Sequence, residues 1–117
     1  MEINPIGTAY KKESSDIMKI EIRQDYAEGL EGIDSLKEIV ILYWMHELGK
    51  KERKKLKVHP RGDPTRPLAG VFTLRSPLRP NPIGVTKVRL VGREENSLFV
   101  EGLDAFDESP VVDIKKA

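Results

Sequence analysis

Cysteine is absent from the 117 residues. That excludes disulfides, thiolate zinc sites and a cysteine nucleophile. Histidine is scarce, with two in the chain, His46 and His59. His46-Glu47 opens like a metalloprotease helix, but position 50 is Lys, and His59 lies thirteen residues on with no ligand cluster around it. No metal is expected. No run of eighteen apolar residues occurs, so no membrane span is expected. Met1-Glu2-Ile3-Asn4-Pro5 lacks the basic and then apolar regions of a secretory leader, and none is expected. Glycine patterns of the dinucleotide or phosphate-loop kind are missing, and no serine sits in a nucleophile elbow. There is no internal repeat, and no segment holds 3.6-residue periodicity beyond a turn or two.

What is present suits one domain over residues 1–117. A chain of this size buries roughly 65% of its unfolded surface, enough for a modest core. With 38% hydrophobic and 33% charged residues, the composition reads as globular and soluble rather than disordered. The formal net charge of +1 argues at first against a polyanionic partner. Its distribution argues the other way. Residues 1–49 carry a net −5, residues 50–89 a net +10, and residues 90–117 a net −4. Segregation on this scale creates a local positive field that a nucleic acid can feel. The plainer alternative for Lys50-Lys51-Glu52-Arg53-Lys54-Lys55-Leu56-Lys57 is a solvated lysine-rich loop.

Short strands dominate the local reading. Ile3–Tyr10 suits a proline-limited strand, and residues 17–23 alternate with a period near two. The glycines of residues 29–36 predict a turn with one helical turn after it. Glu38–His46, β-branched and aromatic, predicts a strand buried on both faces. Residues 47–69, punctuated by proline and glycine, predict a long exposed basic loop. Gly70–Leu74 predicts a strand, 83–91 and 97–103 a hairpin, and 110–114 a last strand. Six or seven short strands with turns between them, and at most a short helix, predict an all-β antiparallel barrel or sandwich.

The most unusual segment is Arg75-Ser76-Pro77-Leu78-Arg79-Pro80-Asn81-Pro82-Ile83-Gly84. Six of the chain's eight prolines fall between residues 60 and 82. Proline fixes φ and removes donors, so the segment is stiff before any ligand arrives. Two arginine forks and an asparagine amide are interleaved with it, groups suited to carboxylate, phosphate or base-edge recognition. The alternative is a capping loop whose arginines pair internally with Asp104, Asp107 or Asp113.

Gly70 through Gly84, followed by Gly102-Leu103-Asp104-Ala105-Phe106-Asp107 and Pro110-Val111-Val112-Asp113-Ile114-Lys115, resembles the TsaA-like family. Its characterised members are TrmO-type tRNA methyltransferases. Gly29–Ile33 and Ile41–His46 fit the same pattern, so the resemblance covers almost the whole chain. It departs from the bacterial members in three places. The loop Tyr10–Asp16 lacks their proline-glutamine element, Asp107-Glu108 stands where an Asp-Gly turn is expected, and the sequence ends before the usual Lys-Pro-Tyr and C-terminal extension.

The resemblance implies a small antiparallel β-barrel that works as a cytoplasmic homodimer. It also implies S-adenosyl-L-methionine as cofactor, bound near the subunit interface. The implied reaction methylates the exocyclic nitrogen of threonylcarbamoyl-adenosine beside the anticodon of a tRNA. The positions carried over as cofactor contacts are His46, Glu47, Arg75, Val85, Ala105, Phe106, Asp107 and Glu108. Methyl transfer from a sulfonium depends mainly on positioning, and a urea-like nitrogen needs a group to accept its proton. Asp104 and Asp107 are the available carboxylates, and Asn81 is expected to orient the base edge. Asn81 and Asp107 are thus the candidate catalytic residues, although Asp107 also suits a turn carboxylate capping a backbone amide. Arg79 or Arg61 is expected to bind the threonyl carboxylate, and Lys54 and Lys55 in the basic loop the tRNA phosphates. The alternative function is a non-catalytic RNA- or adenosyl-ligand-binding barrel module.

Overall fold

A computed structural model describes residues 1–13 and 15–117; Ser14, in the Tyr10–Asp16 loop noted above, lies outside the described residues. In chain order the elements are β1 (Gly7–Lys11), β2 (Ile17–Ile22), β3 (Glu38–Trp44), the four-residue helix α1 (Lys50–Arg53), β4 (Lys57–Val58), β5 (Ala69–Gly70), β6 (Ile83–Glu94), β7 (Ser97–Glu101) and β8 (Ser109–Lys116). Six strands close into an antiparallel barrel of order β1-β2-β7-β6-β3-β8, with β8 returning to β1 through Gly7 opposite Val111. Strands β4 and β5 form a separate two-stranded ladder.

Period-two alternation explains the closure. Met18, Ile20 and Ile22 of β2, Ile39, Ile41 and Tyr43 of β3, Leu98 and Val100 of β7, and Val111 of β8 all point into one core. Their outward neighbours are polar or half-buried. The ladders slip in register between Leu90 and Gly92 in β6 and between Leu42 and Tyr43 in β3. Such irregularities bend a strand, as closing a six-stranded sheet requires.

Several expectations need correction. The apolar run 38–46 is not buried on both faces: burial alternates along it, and the strand stops at Trp44. Residues 47–69 are not one open loop, since α1, β4 and a 3-10 turn at Pro60–Gly62 fall within them. Gly70–Leu74 is not a strand. Pairing ends at Gly70, and Val71–Thr73 turn into a 3-10 helix in which Thr73 Oγ1 donates to Gly70 O at 2.7 Å. That local side-chain bond competes with the ladder and ends it. The first strand starts at Gly7, clear of Pro5.

Candidate functional site

The proline segment leaves the β4–β5 ladder and enters β6, so both its ends are anchored. Met45 N–H donates to Pro82 O at 2.8 Å, and Ile83 and Gly84 pair with Trp44 and Tyr43 of β3. Arg53, on α1, donates from Nε to Pro80 O at 2.8 Å and lies over the Trp44 ring at 5.2 Å. Arg79 donates from one terminal nitrogen to Leu74 O at 3.1 Å and to Ser76 O at 2.9 Å. The segment is therefore held by backbone carbonyls accepting from arginines. The alternative of arginine–carboxylate pairing with Asp104, Asp107 or Asp113 does not occur among the described residues.

Beside this segment lies a cavity of about 900 Å³. Its wall brings together Arg75, Arg79, Asn81 and Val85 from the motif and start of β6 with Asp104, Ala105 and Phe106 from the β7–β8 loop. Two regions about twenty residues apart in sequence thus meet at one end of the barrel. Tyr43 is the joint between them. Its hydroxyl donates to Asp104 O and lies 3.1 Å from Thr86 Oγ1. A carbonyl can only accept, so the Thr86 hydroxyl supplies the other proton. Opposite, Gly84 packs on the Tyr43 ring so closely that any Cβ would overlap it. A side chain at 84 would displace the tyrosine.

The structure separates the remaining candidates. His46 and Glu47 follow β3, are exposed, and do not line this cavity. Asp107 is outside the wall as well; its Oδ1 accepts the Lys11 N–H at 2.8 Å and ties the β7–β8 loop to the end of β1. Glu108 follows it with φ +65°, a left-handed turn position. Lys54, Lys55 and Arg61 lie in the basic segment, and Lys55 and Arg61 line a second concavity. Among the described residues no cluster of three His, Asp or Glu could hold a metal, and no helix is long and apolar enough to cross a membrane.

Sequence reasoning missed several wall residues, among them Tyr43, Met45 and Lys11. Tyr43 and Met45 sit in the apolar run 41–46 and read as core, and Tyr43 is indeed 5% exposed. The available signal was its hydroxyl, since a buried phenol needs a hydrogen-bond partner. Val85 and Phe106, by contrast, expose 48% and 57% of their surface although apolar.

The model of the tRNA-methyltransferase O N-terminal domain matches residues 4–116. A probable S-adenosyl-L-methionine-binding protein of Methanocaldococcus jannaschii is 43% identical, over 97% of this chain and 89% of its own length. An S-adenosyl-L-methionine-binding protein of Archaeoglobus fulgidus is 48% identical, over 88% of this chain and 70% of its own. Among solved structures, a TrmO superposes with TM-score 0.76 at 28% identity, and TrmO from Pseudomonas aeruginosa with 0.75 at 26%. Each covers all of this chain, which spans just over half their length, 57% and 55%. The chain belongs to the family of tRNA-methyltransferase O N-terminal domains.

Proposed function

We propose that this protein is an S-adenosylmethionine-dependent tRNA methyltransferase, acting as a cytoplasmic homodimer on the exocyclic nitrogen of threonylcarbamoyl-adenosine next to the anticodon. The observation that carries the reading is the single cavity joining Arg75 and Asn81 to Ala105 and Phe106. Its residues fit the cofactor. The volume is within the range of small-molecule sites, the Arg75 fork suits a carboxylate, and the exposed face of Phe106 suits a stacked adenine. When bound, S-adenosylmethionine supplies an electrophilic methyl group.

The chain's own residues position and orient. Tyr43 holds the Asp104 carbonyl and so sets the β7–β8 wall, while Arg79 stiffens the motif that carries Arg75 and Asn81. Restricting both reactants in this way supports displacement mainly by lowering the entropy cost of alignment. The Asn81 amide presents both a donor and an acceptor to a base edge. Asp104 is the one acidic residue lining the cavity, and its carboxylate is assigned the nitrogen's proton. Asp107 serves by fixing the loop beside it. Arg79, on the wall of this cavity, is assigned the threonyl carboxylate through the guanidinium nitrogens that its bonds to Leu74 and Ser76 leave over. His46 and Glu47, exposed at the end of β3 and off this wall, would meet the cofactor only across a subunit interface.

Titration calorimetry with S-adenosylmethionine tests the first half: no heat at millimolar cofactor removes the reading. Methyl incorporation into tRNA with and without the threonylcarbamoyl group tests the second. A second reading, a non-catalytic adenosyl-ligand or RNA-binding module, is favoured by one observation: Asp107 is bonded to Lys11 N–H outside the cavity. Cofactor heat with no incorporation selects it.

A further inference from the structure

A second concavity, of about 790 Å³, lies on the other side of the proline segment. It shares Leu74, Arg75, Ser76 and Pro77 with the first, so the two are separated only by that stretch of chain. Its remaining wall comes from Leu78 and the segment 55–66, and it carries Lys55, His59, Arg61, Arg66 and Arg75. Among the described residues, only one of these is within 4 Å of a carboxylate: Arg66, with Nε 3.8 Å from Asp63. No acidic residue lines the concavity.

Local geometry fixes the backbone that carries these side chains. His59 Nδ1 donates to Arg66 O at 2.7 Å, closing the 59–66 loop on itself. Since a carbonyl only accepts, the proton is on Nδ1 and Nε2 is the ring's second polar atom. Arg61 is held at φ +57°, a left-handed conformation rare for a branched or long side chain, and Gly62 follows at φ +67°. Pro60 and Pro77 stiffen opposite walls. Gathering this much like charge in one concavity costs self-repulsion that a bound anion relieves.

We propose that this second concavity is a phosphate subsite for a polynucleotide, gripping the backbone beside the nucleoside that enters the first cavity, with Lys55, Arg61 and Arg66 as its ligands. The inference rests on the tRNA reading above and deepens it, placing backbone and base on the two faces of one rigid segment.

The test is fluorescence anisotropy of a labelled single-stranded RNA with the full chain, from about 50 to 200 mM salt, a range over which phosphate contacts dominate the affinity change. Each neutralised phosphate contributes about 0.7 to the log–log salt slope of a single strand. The pair Arg61→Ala with Arg66→Ala is expected to lower the slope by about 1.4, so wild type loses roughly sevenfold more affinity than the variant across that range. Arg61→Lys with Arg66→Lys is expected to restore the slope. A control pair at the opposite end of the barrel, Lys115→Ala with Lys116→Ala, is expected to leave it unchanged. Equal slopes in the two alanine pairs, or no recovery with lysine, overturn the assignment. So does competition by inorganic phosphate at the same phosphate concentration, which would make this a free-anion site. S-adenosylmethionine calorimetry on the same variants separates the two readings. Lost salt slope with cofactor heat intact supports the subsite, whereas absent cofactor heat with the slope difference intact sinks only the methyltransferase.

Discussion

Tyr43→Phe isolates the one hydroxyl that links the two halves of the candidate site. The ring stays, so no cavity opens beneath Gly84 and the packing against it is unchanged. What disappears is the proton donated to Asp104 O and the acceptor for Thr86. A carbonyl deprived of a buried donor costs about 1–3 kcal/mol, but Asp104 is exposed, so water can reach it and the lower end applies. We expect a loss of about 1–1.5 kcal/mol, or roughly 4 °C in Tm for a domain of this size. Tyr43→Ala removes the ring as well and is expected to cost about 3–5 kcal/mol. Urea denaturation of the three proteins gives both numbers, provided m is unchanged. Because the hydroxyl holds the wall that carries Ala105 and Phe106, Tyr43→Phe is also expected to weaken S-adenosylmethionine binding about fivefold, the equivalent of about 1 kcal/mol. A phenylalanine variant as stable as wild type with unaltered cofactor affinity would refute the reasoning, since the bond would then hold nothing. Phenylalanine as damaging as alanine would refute it differently, by showing that the hydroxyl and not the ring carries the packing.

Gly84→Ala is expected to destabilise by about 1–3 kcal/mol, because its methyl overlaps the Tyr43 ring; a calorimetric melt that does not move shows that the ring can step aside. Arg79→Ala removes two bonds to the carbonyls of Leu74 and Ser76, and faster amide exchange at residues 74–79 is expected, with the barrel amides unchanged. The Asp63 carboxyl is held below its ordinary value by hydrogen bonds from the Thr65 hydroxyl and backbone. A depressed carboxyl stabilises the folded loop above its unfolded pKa, and that contribution is lost as pH falls through the lower folded value. Carboxyl NMR should therefore place the Asp63 midpoint below the ordinary carboxylate value, and Thr65→Ala should move it back up; an unmoved midpoint argues against the hydroxyl as the cause. Arg53→Ala should speed proteolysis within residues 47–57 without shifting the barrel's melt, since its bond to Pro80 and its place over Trp44 tie that segment down.

The alternation of residues 17–22, 83–91 and 97–101 was enough to find β2, β6 and β7, because side chains of a half-buried strand must alternate. The motif at 75–84 likewise led to the wall of the candidate site, since arginine and asparagine forks among prolines are conspicuous in one dimension. The net +10 of residues 50–89 was also legible there, and it pointed to a polyanion whatever the total of +1 suggested. Three things were not legible. Ladder length at Gly70 turned on a threonine hydroxyl three residues later. The burial of Tyr43 on one face of β3 only, with its hydroxyl reaching Asp104, depended on a partner sixty-one residues away. Which arginine is tied down depended on which found backbone carbonyls: Arg79 did, while Arg75 and, outside the motif, Arg61 stay exposed on the second concavity. Local pattern is set by neighbours in the chain and is written in the sequence. Which polar groups satisfy one another across the barrel is decided by closure of the sheet, and only the tertiary structure holds that answer.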